Sequence, residues 1–295
     1  MKQLLILSGK GGTGKTTIAS AFIRLSEAKA FADCDVDAPN LHLLMGQSSE
    51  PQKSDFYGLP KAMITPHLCL GCGLCQRKCR FNAIYVDQGE YKVNEFACEG
   101  CGVCGAICPS QAVSYMSAIA GRLMLYINED RVFSTAQLVM GSGNSGKLVT
   151  EVKKQMRDAA EDATFAVVDG SPGIGCPVIA SLSGADMVLV VTEPTVSGIS
   201  DMERVLKTAE FFKIKVAVCI NKYDVNPDQA DRIEDFCKTQ KIPFVGRIPY
   251  DSEAVKAINQ GQTIVDLDCI SGRMVKEVFA RTMELLFTQS AGYYQ

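Results

Sequence analysis

The chain has 295 residues, of which 47% are hydrophobic and 21% are charged, and its net charge is −3. This length and composition are enough for one large α/β domain and a smaller second unit. The weak negative charge argues against a nucleic-acid partner. No apolar run approaches the roughly 20 residues of a membrane span, so we expect a cytoplasmic protein without stable membrane insertion.

A glycine-rich loop follows the first apolar strand, Leu4 to Leu7. The loop has the GxxxxGK-[ST] pattern of a phosphate-binding loop, and an amphipathic helix is predicted after it over 18–28. Its backbone N–H groups can face phosphates, Lys15 can reach the β and γ oxygens, and Thr16 can bind Mg²⁺. A nucleoside triphosphate with Mg²⁺ is therefore the first expected ligand. The predicted phosphate-binding residues are Gly9, Lys10, Gly11, Gly12, Thr13, Gly14, Lys15, Thr16 and Thr17.

A second lysine in this loop, Lys10, gives it the form KGGTGKT. This form resembles the deviant Walker A motif of the family that includes MinD, ParA, Mrp and the nitrogenase iron protein. The resemblance implies that Lys10 reaches the phosphates of a partner subunit in a face-to-face dimer. A homodimer, or a heterodimer with a paralogous ATPase, is therefore expected. The alternative is a solvated loop lysine.

Three carboxylates follow the second predicted strand, 30–32: Asp33, Asp35 and Asp37. The carboxyl ends of parallel strands share one sheet edge, so these groups are expected near the phosphate loop. The stretch resembles switch I of the family, which implies that Asp35 serves the hydrolytic water and that the other two support it. The alternative is a polar turn without a catalytic role.

An internal repeat of 29 residues carries eight of the thirteen cysteines. Both copies read CxxCxxCxxxC, the spacing of bacterial ferredoxins that hold two [4Fe–4S] clusters. In that crossed pattern, three cysteines of one copy share a cluster with the last cysteine of the other. The predicted ligand sets are Cys69, Cys72, Cys75 with Cys108, and Cys98, Cys101, Cys104 with Cys79. Structural zinc is the alternative, since four thiolates also suit a tetrahedral site.

The repeat is predicted to lie in an inserted domain, 61–116, between ATPase segments 1–60 and 117–295. Residues 47–60 are rich in Ser, Gln, Gly and Pro, which indicates a linker. The whole resembles MinD-superfamily ATPases with an inserted ferredoxin domain. The fold class implied is α/β, a doubly wound and mostly parallel P-loop NTPase sheet with an α+β bacterial-ferredoxin-like insert.

A second GxxxxGK run lies at 141–147, but Leu148 follows it and has no hydroxyl for Mg²⁺. No second nucleotide site is therefore expected there. The run precedes a helix predicted over 148–160. Further buried strands are predicted at 165–168, 187–191, 216–220 and 244–248.

Asp169 stands directly after the strand predicted at 165–168 and precedes the glycine Gly173. Position and chemistry match a Walker B aspartate that reaches Mg²⁺ through water, and the Gly173 amide can sense a γ-phosphate. The stretch resembles switch II of the family. Cys176 falls where the nitrogenase iron protein carries a cluster ligand, but no matching second cysteine is present. We therefore predict that Cys176 is a small packed residue.

An NKxD motif, Asn221 to Asp224, follows the strand predicted at 216–220. This motif reads guanine in GTPases, whereas the asparagine contacts adenine in MinD-like proteins. The resemblance therefore implies ATP, with Asn221, Asp224 and Pro249 near the base. The last predicted helix, 271–287, carries both charge signs and no basic face, so core packing is favoured over a membrane anchor.

Three functions are compatible with these motifs. The first is an ATPase whose nucleotide-driven dimerisation is coupled to electron transfer from the clusters to a redox partner protein. The second is an Mrp-type cluster carrier, a class in which the transferable cluster bridges the dimer through a C-terminal CxxC. No such pair exists in this chain, since Cys219, Cys237 and Cys269 are isolated. The third is a MinD-like positioning ATPase. The predicted catalytic residues are Lys10, Lys15, Asp35 and Asp169.

Overall fold

The computed structural model describes residues 1–46, 49–128 and 130–288. The strands are β1 (Lys2–Leu7), β2 (Ala30–Asp33), β3 (Gln52–Tyr57), β4 (Lys61–Ile64), β5 (Ile84–Asp87), β6 (Glu90–Val93), β7 (Val113–Met116), β8 (Ile119–Asn128), β9 (Arg131–Leu138), β10 (Phe165–Asp169), β11 (Met187–Thr192), β12 (Lys215–Asn221) and β13 (Phe244–Ile248). The α-helices are α1 (Lys15–Ser26), α2 (Leu41–Leu44), α3 (Leu74–Lys78), α4 (Val103–Ala106), α5 (Ser145–Ala159), α6 (Cys176–Leu182), α7 (Val196–Phe211), α8 (Pro227–Thr239), α9 (Ser252–Asn259) and α10 (Ile270–Phe287). Short 3-10 helices lie at Pro66–Leu68, Tyr223–Val225 and Ile264–Asp266.

The main sheet has the strand order β13-β12-β11-β1-β10-β2-β9-β8-β3. From β13 to β9 every neighbouring pair is parallel, which confirms the predicted mostly parallel α/β sheet. Both faces of this sheet are buried: Leu5 and Leu7 point into one core, and Leu4 and Ile6 into the other. This two-sided burial explains why the strands read as continuous apolar runs instead of alternating patterns.

The far edge of the sheet differs from the prediction. Residues 47–60 are predicted as a linker, but Gln52–Tyr57 form β3, which pairs antiparallel with β8; residues 47 and 48 lie outside the described residues. Only Phe56 of β3 is buried. An exposed edge strand has little need for apolar residues, so its sequence lacks the alternation that predicts a strand.

Residues 61–116 leave the sheet after β3 and return to it at β8. The segment begins with β4 and ends with β7, which pair antiparallel so that Lys61 lies opposite Met116. Strands β5 and β6 form a second hairpin, and each cysteine run leads into a short helix, α3 or α4. The buried apolar residues of this segment are few and mostly small: Ala62, Ile64, Ala83, Ile84, Cys98 and Ala112. Units with so small a core usually gain stability from metals, crosslinks or assembly.

Helix α10 packs into one of the two cores through Val275, Val278 and Leu286, as predicted. Thr288, the residue that follows α10, is the last residue that the structure describes. Among the helices of the described ranges, none has the length and apolar character needed to cross a membrane.

A buried lysine joins α5 to α6. Lys153 is 3% exposed and donates hydrogen bonds of 2.6 Å to the carbonyl oxygens of Ser181 and Ser183 at the end of α6. Helix-end carbonyls attract a cation, but burial disfavours its charge and lowers the pKa of Lys153 to about 8. The contact between α5 and α6 therefore depends on Lys153, whose pKa lies near 8 in the folded protein.

We expect the free energy of unfolding of the wild type, relative to Lys153→Met, to rise between about pH 8 and pH 10.5. In this window the unfolded chain still holds the lysine proton at its ordinary value of 10.5, while the folded chain has released it. The unfolded state then binds more protons, so stability rises with pH, by up to about 3 kcal/mol. Urea unfolding of both proteins at several pH values measures this difference, and the exposed neighbour Lys154→Met serves as the control. A difference that does not vary with pH would contradict the assignment.

Candidate functional site

The phosphate loop lies between β1 and α1 and depends on its glycines. Gly12 and Gly14 adopt positive φ angles of 82° and 84°, which favour glycine. A Cβ at Gly14 would collide with the Asn221 side chain, and one at Gly9 would collide with Asp201, whereas Gly11 and Gly12 face open space. The loop is therefore packed on one side and open on the other, as a ligand-binding loop requires.

Lys15, Thr16 and Asp169 meet at the start of α1. The Lys15 Nζ lies 2.5 Å from Asp169 Oδ1, and the Thr16 hydroxyl donates to Asp169 Oδ2 at 2.7 Å. Asp169 is fully buried and Lys15 is 6% exposed. Burial favours the neutral amine, but the attraction of Asp169 outweighs it and raises the pKa of Lys15. The hydroxyl and carboxylate oxygens are hard donors of the kind Mg²⁺ prefers, so these residues fit the ion.

Asp33 organises the loop that carries Asp35. Its buried carboxylate accepts the backbone N–H groups of Asp35, Asn40 and Leu41, each at 3.0 Å. Burial, together with the negative charge of Asp169, raises the pKa of Asp33 to about 7. Asp35 is only half-buried, and partial desolvation raises the pKa of its carboxyl as well. Asp33 thus supports the loop, while Asp35 remains accessible at its surface.

The two loops predicted as switches contact each other directly. The Cys34 N–H donates to the Asp169 carbonyl at 2.8 Å, and the Ser171 hydroxyl donates to the Cys34 carbonyl at 2.5 Å. The Gly173 N–H in turn donates to the Ser8 carbonyl of the phosphate loop at 3.0 Å. The two predicted switch loops and the phosphate loop are therefore joined by direct hydrogen bonds.

Lys10 is held within its own chain by Glu193. The Lys10 Nζ lies 3.3 Å from Glu193 Oε2 and donates to the Thr195 hydroxyl at 3.2 Å. Lys222 contacts the same carboxylate at 2.6 Å and donates to the Gly12 carbonyl at 3.0 Å. The sequence analysis missed Glu193. It comes just after β11, so the rule that selected Asp33 and Asp169, a polar residue at the carboxyl end of a buried strand, applies to it too.

The predicted base-contact residues lie at the same sheet edge but are engaged with the backbone. The Asn221 side-chain amide donates to the Thr13 carbonyl at 2.8 Å. Asp224 accepts the N–H of Tyr250, the residue after Pro249, at 2.6 Å. These bonds join the NKxD and Pro249 loops to the phosphate loop, and contact with a base stays a prediction.

Two cavities in residues 61–116 are each lined by four cysteines. Cavity 1 is lined by Cys79, Cys98, Cys101 and Cys104 and encloses about 370 Å³ of atom-free space, part of it open to solvent. Cavity 2 is lined by Cys69, Cys72, Cys75 and Cys108 and contains about 340 Å³ of atom-free space, also partly open to solvent. Each cavity thus combines three cysteines of one copy with the last cysteine of the other. In the described ranges, no three His, Cys, Asp or Glu side chains are grouped to ligate a single metal ion.

The two copies of the repeat share backbone geometry as well as sequence. The N–H groups of Ala83 and Ala112, which are 29 residues apart, donate to the sulfurs of Cys79 and Cys108 at 3.3 Å. Positive φ angles also recur at equivalent positions: Gly71 and Gly100, Gly73 and Gly102, and Asn82 and Gln111. Backbone N–H groups that face sulfur stabilise thiolates, so both cavities offer a suitable environment for thiolate ligands.

The prediction for Cys176 is wrong, because this cysteine is exposed and not packed. Cys176 is the first residue of α6. Gly146 packs against it, since a Cβ added at Gly146 would lie 3.0 Å from the Cys176 carbonyl oxygen. Gly146 belongs to the second glycine-rich run, whose residues Ser145–Lys147 begin α5. That run therefore packs against the segment that follows Asp169.

Residues 4–264 match the CbiA family model, described as the CobQ/CobB/MinD/ParA nucleotide binding domain. The chain is 30% identical over 293 residues to the uncharacterized protein MJ0578 of Methanocaldococcus jannaschii, which covers 96% of this chain and 97% of the relative. Its fold is similar to MinD of Pyrococcus horikoshii complexed with Mg-ADP (TM-score 0.58, 18% identity, 97% of both chains). It is also similar to the McdA(D38A)–ATP complex of Cyanothece (TM-score 0.59, 18% identity, 99% of both chains). The chain therefore belongs to the CobQ/CobB/MinD/ParA nucleotide-binding family, as a MinD/ParA-type P-loop ATPase.

Proposed function

We propose that this ATPase binds and hydrolyses MgATP, and that its nucleotide-driven dimer gates electron transfer from two [4Fe–4S] clusters to a redox partner protein. The observation that carries the proposal is the pair of four-cysteine cavities on the same chain as a complete phosphate loop. An Mrp-type carrier and a MinD-like positioning ATPase remain the alternative functions.

The ATPase part of the proposal rests on the cluster of Lys15, Thr16 and Asp169. Lys15 would hold the β- and γ-phosphates, and the oxygens of Thr16 and Asp169 would hold Mg²⁺ directly or through water. Asp35, half-buried beside this cluster, would orient the hydrolytic water. Adenine is the favoured base because the similar MinD and McdA structures carry Mg-ADP and ATP.

The dimer part rests on Lys10. Lys10 forms an ion pair with Glu193 of its own subunit. In a dimer, the phosphates bound to the second subunit would compete with the Glu193 carboxylate for the Lys10 ammonium group. A homodimer, or a heterodimer with a paralogous ATPase, would form when ATP supplies that anion. Complex formation is a property of the similar MinD from Aquifex aeolicus, which was solved as a MinC:MinD complex.

The electron-transfer part rests on the crossed cysteine sets. Bound [4Fe–4S] clusters would supply two one-electron redox centres. The eight cysteines would hold them, with the N–H groups of Ala83 and Ala112 facing two of the sulfurs. Structural zinc is the alternative occupant, and the CxxCxxCxxxC spacing of both copies, which is that of two-cluster ferredoxins, favours iron–sulfur clusters over it.

A contact route between the two parts supports gating. Glu99, between Cys98 and Cys101 of cavity 1, lies so close to Gly143 that a Cβ there would collide with its carboxylate. Three residues later, Gly146 packs against Cys176, the first residue of α6. Since α6 follows the segment of Asp169 and Gly173, the 141–147 loop connects cavity 1 to the nucleotide site.

The direct test is metal analysis. Anaerobically purified protein is expected to hold about eight iron atoms and matching sulfide, and to give the EPR signals of reduced [4Fe–4S] clusters. Cys72→Ser/Cys101→Ser, with one change in each cavity, should lose most of this iron. Cys176→Ser is the matched control, because Cys176 is equally exposed but lies outside both cavities. Stoichiometric zinc, or full iron in the double variant, would refute the electron-transfer part.

A further inference from the structure

Three cations lie together at the end of α3: Arg77, Lys78 and Arg80. All three side chains are exposed, and none of them forms an ion pair within residues 1–46, 49–128 and 130–288. We call these three residues the α3 surface. On a chain whose net charge is −3, this surface is a local patch of opposite sign.

The α3 surface adjoins both cysteine cavities. Cys75, within α3, lines cavity 2, and Cys79, between Lys78 and Arg80, lines cavity 1. The Arg77 guanidinium donates to the Cys72 carbonyl at 3.0 Å, which places one of the charges directly on the cavity 2 loop. A molecule bound here would therefore approach both cavities.

The repeat itself provides an uncharged reference. At the positions 29 residues later, the second copy has Ala106, Ile107 and Pro109 in place of the three cations. That copy has the same backbone signature, so the motif folds without the charges. Like charges at neighbouring positions repel each other, so the concentration of three cations here is not favoured by their mutual electrostatics. Their placement is therefore better explained by an external acidic partner than by the fold.

We propose that the α3 surface docks the redox partner, a small electron-transfer protein with a carboxylate-rich surface. The inference rests on the proposed electron-transfer function and specifies its partner. One electron leaves a reduced cluster and is gained by the partner's redox centre, with no bond made or broken. Opposite charges steer such short-lived encounters and raise their association rate by ten-fold or more at low salt.

The test uses the anaerobically purified, dithionite-reduced holoprotein and an oxidised acidic flavodoxin as the probe. We expect Arg77→Glu/Lys78→Glu/Arg80→Glu to lower the second-order rate constant of electron transfer about ten-fold at low salt and to abolish its decrease with added salt. The matched control, Lys53→Glu/Lys154→Glu/Lys207→Glu, makes the same change in net charge at exposed positions elsewhere. This control should change the rate constant by less than about three-fold.

Two further measurements distinguish a failure of docking at the α3 surface from a failure of the proposed electron transfer. A basic cytochrome c is not expected to dock on the α3 surface, because charges of the same sign repel each other, so failure with both acceptors would refute electron transfer itself. Anisotropy of labelled flavodoxin measures docking alone, and the α3 variant should weaken it about ten-fold. Equal behaviour of the two triple variants would overturn the docking proposal, as would wild-type binding to RNA or phosphatidylserine vesicles in preference to flavodoxin.

Discussion

Lys10→Ala is expected to lose ATP-dependent dimerisation and to lower ATP hydrolysis by about 100-fold or more, while its affinity for nucleotide changes only a few-fold. The reason is geometric, because Lys10 contacts Glu193 and Thr195 and not the Lys15–Asp169 pair. It therefore contributes little to the phosphate site of its own subunit. In the proposed dimer, its charge acts when a partner's phosphates replace Glu193. Lys15→Ala, in contrast, should lose nucleotide binding outright. Size-exclusion chromatography with light scattering and phosphate release measure both effects.

Two variants make this experiment specific. Asp35→Ala should bind ATP and accumulate as a dimer, because it lacks the group proposed to orient water but keeps both lysines. Glu193→Gln removes the competing carboxylate and should lower the ATP concentration at which the dimer forms. If Lys10→Ala dimerised and turned over like the wild type, Lys10 would be a solvated loop residue and the cross-subunit role would be wrong.

The sequence was most informative where one physical requirement acts on contiguous residues. Strands buried on both faces must be continuous apolar runs, so the strands predicted at 165–168, 187–191 and 244–248 were found within one or two residues. The sheet-edge rule brought Asp33 and Asp169 together before the fold was known. Such local requirements leave a pattern that can be read without the structure.

Features that depend on tertiary surroundings left no such pattern. Strand β3 was missed because an edge strand with a single buried residue, Phe56, needs no apolar alternation. The prediction that Cys176 is packed was wrong, and nothing local in the sequence indicates that α6 begins at the surface. In the second glycine-rich run, 141–147, Glu99 closely approaches Gly143 and Cys176 closely approaches Gly146, and both contacts come from distant parts of the chain.

The 141–147 loop contacts both cavity 1 and the segment after Asp169. The proposed coupling between nucleotide binding and cluster reduction can therefore be tested by changing residues at these contacts. Because Glu99 touches Gly143 and Gly146 touches Cys176, closure of the nucleotide site should act on cavity 1 more than on cavity 2. The linkage is reciprocal, so reduction of a cluster bound in cavity 1 would have to change ATP affinity by the same free energy. A coupling of about 1 to 3 kcal/mol corresponds to about 40 to 130 mV for a one-electron centre.

We therefore expect one of the two reduction potentials to differ by tens of millivolts or more between nucleotide-free, MgADP and non-hydrolysable ATP states in an EPR-monitored titration. Glu99→Ala should reduce this difference, since it removes the contact with Gly143 while leaving the cysteines in place. Leu70→Ala is the matched control, because Leu70 occupies the position of Glu99 in the first copy of the repeat. Identical potentials in all three states, with equal ATP affinity for oxidised and reduced protein, would mean that the ATPase and the cysteine cavities act independently and would favour the carrier function over gating.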